Sequence, residues 1–244
     1  MRVNKNNLSF EVVKSCNHPE DWWENNYPSW EEHTFHFFDR LLKEDMTYFD
    51  IGTYCGLTIL YACQKVRHAY GIDIDPSAFN ACHSNAQVNN FKNVTLELAG
   101  LSGKDATRNI VDSLQGTSGC RLGAPGTYGD NTRVECFTIE SLIDRWNVEK
   151  CDFVKMDIEG AEEECLPMMG SFFETYDPIF YLSVHKHLGA TAKTIVESTQ
   201  HYKYVYDKSY NNVYDNLYDE IESRAHSHGE QDYLFSSKPL DDLL

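Results

Sequence analysis

The chain lacks any apolar run approaching the roughly 18 residues of a transmembrane helix. It is poor in cations, with 21 Lys and Arg against 38 Asp and Glu, a formal net charge of −17. Broad nucleic-acid binding needs clustered cations to neutralise phosphates, so that function class is excluded, and docking on an anionic membrane is disfavoured. The opening residues, Met1-Arg2-Val3-Asn4, are followed by no apolar stretch, so no signal peptide is expected and the expected location is cytoplasmic. None of the eight cysteines forms a C-x-x-C pair, which excludes a thiolate zinc knuckle or a thioredoxin-like motif. With several of them inside apolar periodic segments, they read as buried free thiols in a reducing compartment. There is no internal repeat, no low-complexity tract and no G-x-G-x-x-G.

What is present is an alternation of strands and helices. Residues 31–44 carry Phe35, Phe38, Leu41 and Leu42 on one helical stripe. Strand 47–51 precedes a predicted helix over 55–66, strand 69–74 precedes a helix opened by Asp75-Pro76, and strand 94–99 follows. Residues 116–130 hold five glycines and Pro125 and read as a long loop or loose hairpin. The pattern resumes with strand 133–138, helix 139–146, strand 151–156, helix 161–169, strand 179–185 and helix 190–200, and closes with strand candidates 202–206 and 232–236. No helix is predicted between these last two. Such alternation implies right-handed crossovers and a mostly parallel sheet, with an antiparallel strand at its C-terminal end. Residues 1–30 read as an irregular aromatic lid, with Trp22, Trp23, Tyr27 and Trp30 close together, ahead of one domain over 31–244.

The sharpest motif is Asp50-Ile51-Gly52-Thr53-Tyr54-Cys55-Gly56, between the first strand and its helix. Open α/β sheets bind ligands at the carboxyl ends of their strands. A carboxylate there repels a pyrophosphate and attracts a cation, so D-x-G-x-x-x-G points to S-adenosylmethionine, which carries an ammonium and a sulfonium, over a nicotinamide dinucleotide. The simpler alternative is a turn with a capping Asp. Asp73 ends the second strand 21 residues after Gly52, the position of an acid that accepts ribose hydroxyls. Asp75 reads as a helix cap.

Lys155-Met156-Asp157-Ile158-Glu159-Gly160 closes the strand expected beside the first, and Val184-His185-Lys186-His187 closes the next. Parallel neighbours bring these ends together. His185 held by Asp157 would serve as general base for an alcohol, with Glu159 and Lys155 completing the candidate catalytic group. His187 reads as a polar strand end and a candidate substrate contact. Asp157, Glu159 and His185 would also be the ligands of a divalent metal, but no tight cluster such as D-x-D-H is present and a metal is not favoured.

Together these segments resemble the FkbM-type methyltransferases, S-adenosylmethionine-dependent O-methyltransferases with the class I Rossmann-like three-layer α/β sandwich and a seven-stranded sheet. The matching residues are Asp50-Ile51-Gly52 with Gly56, Gly71-Ile72-Asp73, Leu101-Ser102, Thr138-Ile139-Glu140-Ser141-Leu142, and Lys155 to Glu162. The resemblance implies that Asp50, Gly52 and Gly56 hold the methionine part of the cofactor, Asp73 or Asp75 the ribose, and Leu101 and Ser102 the adenine edge. Thr53, Tyr54, Ile74 and Asp157 complete the expected cofactor contacts. The family mostly methylates hydroxyls of sugars, polysaccharide ends and natural products, releasing S-adenosylhomocysteine. A carbohydrate acceptor suits aromatic walls, for which Tyr27, Trp30, Tyr54 and Tyr128 are the candidates. Methylation of another metabolite or a protein side chain, and a cofactor-binding scaffold without catalysis, remain as alternatives.

Overall fold

The computed structural model describes residues 1–111, 119–123, 132–223 and 231–244. Seven strands make the main sheet: β1 (Thr47–Ile51), β2 (His68–Asp73), β3 (Val94–Leu98), β4 (Phe153–Met156), β5 (Ile179–Val184), β6 (Tyr204–Asp207) and β7 (Gln231–Ser236). Their order is β6-β7-β5-β4-β1-β2-β3. All neighbours are parallel except β7, which runs antiparallel to both β5 and β6. This is the three-layer α/β sandwich with a seven-stranded sheet that the resemblance implies. The antiparallel strand is inserted next to the edge, between β5 and β6. The chain leaves β1 toward β2 on one side and reaches β4 on the other, so the strand order reverses at the β1–β4 pair, where a ligand crevice is expected.

Strand periodicity divides the core. Tyr48, Phe153 and Tyr181 pack on one face with the helix Glu32–Leu41, while Phe49, Ile51, Val154, Met156, Phe180, Leu182 and Val184 pack on the other. Asp50, Lys155 and Tyr181 stand opposite one another in register. With period 2, Asp157 and His185 continue the same face beyond the strand ends. The C-terminal rim of that face is therefore polar above an aromatic layer.

Several predicted elements differ in detail. The helix expected over 55–66 is reduced to Ile59–Ala62, because the turn before it holds Tyr54 and Gly56 at φ 49° and 98°, outside helical geometry. The helix expected over 161–169 is Glu162–Cys165 with a 3-10 turn at Leu166–Met168, where Pro167 interrupts it. Residues 1–30 are less irregular than expected: strands Arg2–Lys5 and Leu8–Glu11 form a hairpin, followed by a short helix at Glu20–Asn25. Val3, Phe10, Trp23 and Tyr27 are buried with the main core. A further helix, Leu217–Ser223, lies in the stretch where none was predicted. A second sheet, of strands Gly100–Leu101, Ala106–Val111, Arg121–Leu122 and Arg133–Phe137, flanks the crevice. Most of the glycine-rich 116–130 segment, including Tyr128, lies outside the described residues. The eight cysteines are free and all but Cys16 are buried. No helix among the described residues is long and apolar enough to cross a membrane.

Candidate active site

A cleft with about 990 Å³ of free space, part of it open to solvent, lies over the carboxyl ends of β1, β2 and β4. Its floor is the turn after β1. The amides of Gly52 and Thr53 both donate to the Ile72 carbonyl at 3.0 Å, folding the chain back over β2. Gly52 sits at φ 92°, and a Cβ there would stand 1.9 Å from the Asp157 carbonyl oxygen. Only glycine passes between these strand ends. Gly56 has a different part: it does not line the cleft, and packs on Leu60 and Cys82 beneath it.

Asp73 lies in the cleft wall. Its Oδ2 accepts the Tyr54 amide at 2.7 Å and its Oδ1 the Asp75 amide at 2.8 Å. A carboxylate has about four lone-pair sites, so two backbone bonds leave capacity for two hydroxyls. Burial pushes its carboxyl up to about 7, against these two bonds. Asp75 is buried, caps the helix Pro76–Val88 by accepting the Ser77 amide, and does not line the cleft. Of the two acids considered for the ribose, Asp73 lines the cleft and Asp75 does not.

Asp50 is fully buried and is not a cleft residue. Its Oδ2 accepts from Tyr48 and Thr58 hydroxyls at 3.0 and 2.7 Å. Burial raises its carboxyl to about 6, opposed by the nearby Lys155 ammonium. Asp50 thus lies beneath the cleft, bonded to Thr58 and close to Lys155, both of which line it. Of the other residues expected to contact the cofactor, Thr53, Tyr54, Ile74 and Leu101 line the cleft; Ser102 is buried and donates to the Lys104 carbonyl.

Lys155 is buried, and its Nζ donates to Asp157 Oδ2 at 2.9 Å. Asp157 and Asp50 hold it charged despite burial, so it is a fixed cation and not a base. Asp157 in turn is held below the usual carboxylate range by Lys155 and His185, against burial. The adjacency of β4 and β5 brings His185 Nε2 to 3.4 Å from Asp157 Oδ1 and 3.7 Å from Glu159 Oε2. The carboxylate that orients His185 is another one: Glu162, wholly buried, whose Oε1 pairs with Nδ1 at 2.8 Å. Against the cost of burial, Glu162 and Asp157 raise His185 to about 9. The surrounding carboxylates thus favour the charged form of the ring over the neutral one.

The aromatic candidates separate. Trp30 and Tyr54 line the cleft. Tyr27 does not; it is fully buried and donates to the Leu57 carbonyl at 2.6 Å, because large rings bury more area in the core than at a wall. His187 is exposed on the turn after β5, its ring 6.1 Å from that of His185, and is not part of the cleft lining. Sequence reasoning missed His18 and Glu31, which line the cleft, and Glu162. His18 stacks on Trp22 at 3.7 Å and meets Tyr54 edge-on at 5.6 Å. Glu162 is the first of three consecutive glutamates, and no local signal singles it out.

The residues present fit S-adenosylmethionine. Gly52 opens a cradle that a Cβ would close, Asp73 offers acceptors for a diol, and Asp157, Glu159 and Glu31 supply the negative lining a sulfonium and an ammonium require.

Comparison with known proteins agrees. The family model described as the methyltransferase FkbM domain matches residues 50–229, well over half the chain. The chain is similar over 74 residues, at 33% identity, to the uncharacterized protein MJ1452 of Methanocaldococcus jannaschii, covering 30% of this chain and 27% of that protein. It is similar over 54 residues, at 44% identity, to the ribosomal protein L11 methyltransferase of Aquifex aeolicus, covering 22% of each. The matched segments thus span about a quarter of the length of these curated relatives. Among solved structures, methyltransferase FkbM from Methylobacillus flagellatus KT has a TM-score of 0.50 at 13% identity, covering 82% of this chain and 50% of that one, a likeness of fold. By its domain match and by the residues of its cleft, this chain belongs to the FkbM family of S-adenosylmethionine-dependent methyltransferases.

Proposed function

We propose that the chain methylates a hydroxyl group, and that the acceptor is a sugar hydroxyl in a glycan or glycoside. The observation that carries this reading is the composition of the cleft beyond Gly52: aromatic faces from His18, Trp30 and Tyr54 beside the carboxylates Asp157, Glu159 and Glu31. Apolar faces of pyranose rings stack on aromatic side chains, and their hydroxyls donate to carboxylates. Residues 1–30 supply two of these rings and act as one wall of the site.

S-adenosylmethionine supplies an electrophilic methyl group on a sulfonium. The chain supplies position and proton handling. Asp73 accepts the ribose diol. Asp157 Oδ1 accepts the hydrogen bond of the acceptor hydroxyl, which aims the oxygen, while Lys155 holds Oδ2. When the methyl group passes from sulfur to oxygen, the C–S bond would break as the C–O bond forms, S-adenosylhomocysteine would leave, and the acidified hydroxyl proton would pass to Asp157. Orientation is the main contribution, worth several kcal/mol of barrier, with the proton acceptor adding on the order of 10²-fold or more. His185 fixes Asp157 from the end of β5.

A basic protein segment is the second reading, favoured by the net charge of −17 and by the short matches to ribosomal protein L11 methyltransferases. One experiment separates the two. The chain is incubated with methyl-labelled cofactor and panels of glycosides, oligosaccharides and basic peptides. Label in a glycoside, stable to base as an ether is, supports the sugar reading. Label in peptides alone replaces it.

A further inference from the structure

We propose that Asp157, Glu159 and His185 form a binding site for one divalent cation of the magnesium–manganese class, at the acceptor end of the cleft. The inference deepens the transferase reading, and rests on it only for the use of the ion, not for its binding.

The first observation is a nitrogen with nothing to bond. His185 is 1% exposed, and its Nε2 is buried without a hydrogen-bond partner. Its other nitrogen is committed to Glu162 at 2.8 Å. A carboxylate on Nδ1 fixes the ring orientation and directs the Nε2 lone pair outward, the arrangement that supports a histidine ligand. Nε2 faces Asp157 Oδ1 at 3.4 Å and Glu159 Oε2 at 3.7 Å, and the three donor atoms lie within 4.8 Å of one another. With metal–ligand distances of about 2.1 Å, adjacent ligands stand roughly 3 Å apart and opposed ones roughly 4 Å. The two separations at Nε2 fall inside that range.

The second observation is charge. Asp157, Glu159 and Glu162 surround His185 with three carboxylates, and Lys155 pairs with Asp157. A divalent cation suits a carboxylate-rich site of this kind and takes the histidine in its neutral form. Two carboxylate oxygens and one imidazole match magnesium or manganese better than a thiolate-seeking metal. Ile158 and Ala161 line the cleft beside these ligands, so the ion would remain open on the cleft side to a hydroxyl oxygen.

The test is direct binding. The full chain, stripped with EDTA, is titrated with manganese ion alone, and free ion is read by electron paramagnetic resonance. One saturable site is expected, weakened at least about 10-fold in Glu159→Gln and in His185→Gln and unchanged in Glu149→Gln, an exposed control. Circular dichroism reports folding, so that if one ligand variant misfolds the other decides. No saturable binding by millimolar ion, or equal binding in a folded ligand variant, overturns the site. S-adenosylhomocysteine binding is measured in parallel by thermal shift. Manganese binding without a thermal shift would sink the transferase reading and leave the ion site; a thermal shift without manganese binding would do the reverse.

Discussion

Gly52 and Asp157 come from strands a hundred residues apart in sequence and meet with no room for a side chain: a Cβ on Gly52 would lie 1.9 Å from the Asp157 carbonyl. The turn that floors the cleft and the loop that bears the acidic residues are therefore one packed unit. Gly52→Ala meets both this backbone clash and a φ of 92°. It is expected to destabilise by at least about 2 kcal/mol, and to abolish the thermal shift given by S-adenosylhomocysteine. Chemical denaturation measures the first and a ligand titration the second. A variant of wild-type stability would mean the two loops separate easily.

Asp73 ties cofactor binding to pH. Its carboxyl is raised to about 7 in the fold, so between the ordinary carboxylate range and pH 7 the folded chain binds more protons than the unfolded one. Its contribution to stability therefore falls as pH rises through that window. Cofactor affinity should run the other way, because the ionised form accepts the ribose hydroxyls: affinity drops below about pH 7 and levels above it. Asp73→Asn should weaken S-adenosylhomocysteine about 10-fold or more and flatten the pH dependence. Calorimetric titration from pH 5.5 to 8.5 measures both. Unchanged affinity would remove Asp73 from the ribose.

Lys5 fastens the N-terminal segment to the cleft. Its ammonium is buried and donates to the carbonyls of Tyr27, Pro28 and Trp30, closing the turn that places the Trp30 ring. Lys5→Met leaves those carbonyls without their donor, a loss of about 2–4 kcal/mol. Since Trp30 lines the cleft, KM for the acceptor should rise more than kcat falls. An intact KM in a folded variant would detach the N-terminal segment from substrate binding.

The parts legible in sequence were those fixed by strand order and period. The adjacency of β4 to β1 and of β5 to β4 follows from the alternation, and it brings Asp157 to His185 as read. What escaped depended on rotation and long-range packing. Nothing local distinguishes Glu162 from Glu163 and Glu164, yet only Glu162 turns inward to a histidine on another strand. His18 and Glu31 reach the cleft from an N-terminal segment whose position no periodicity encodes. Tyr27 and Trp30 belong to one aromatic cluster, and burial, not composition, sends Tyr27 to the core and Trp30 to the wall. The helix Leu217–Ser223 carries Asp219, Glu220 and Glu222, with only Leu217 and Ile221 buried, too thin a stripe to read.

Glu162 sets the last expectation. It does not line the cleft and is bonded to His185 at 2.8 Å, so it is a positioning residue. Glu162→Ala frees the imidazole ring and strips the largest favourable contact that keeps it charged. Turnover should then fall about 10- to 100-fold while KM for S-adenosylmethionine stays within about twofold, since Asp73 and Gly52 are untouched. Glu162→Gln keeps an oxygen acceptor for the ring N–H at nearly the same volume, and should recover a substantial part of the loss. A merely structural acid would behave differently. Both variants would lower stability together, and KM and kcat would move with the folded fraction. Steady-state kinetics on the two variants, each checked by thermal melting, distinguishes these outcomes, and equal kcat in wild type and Glu162→Ala would show that the orientation of His185 has no part in the reaction.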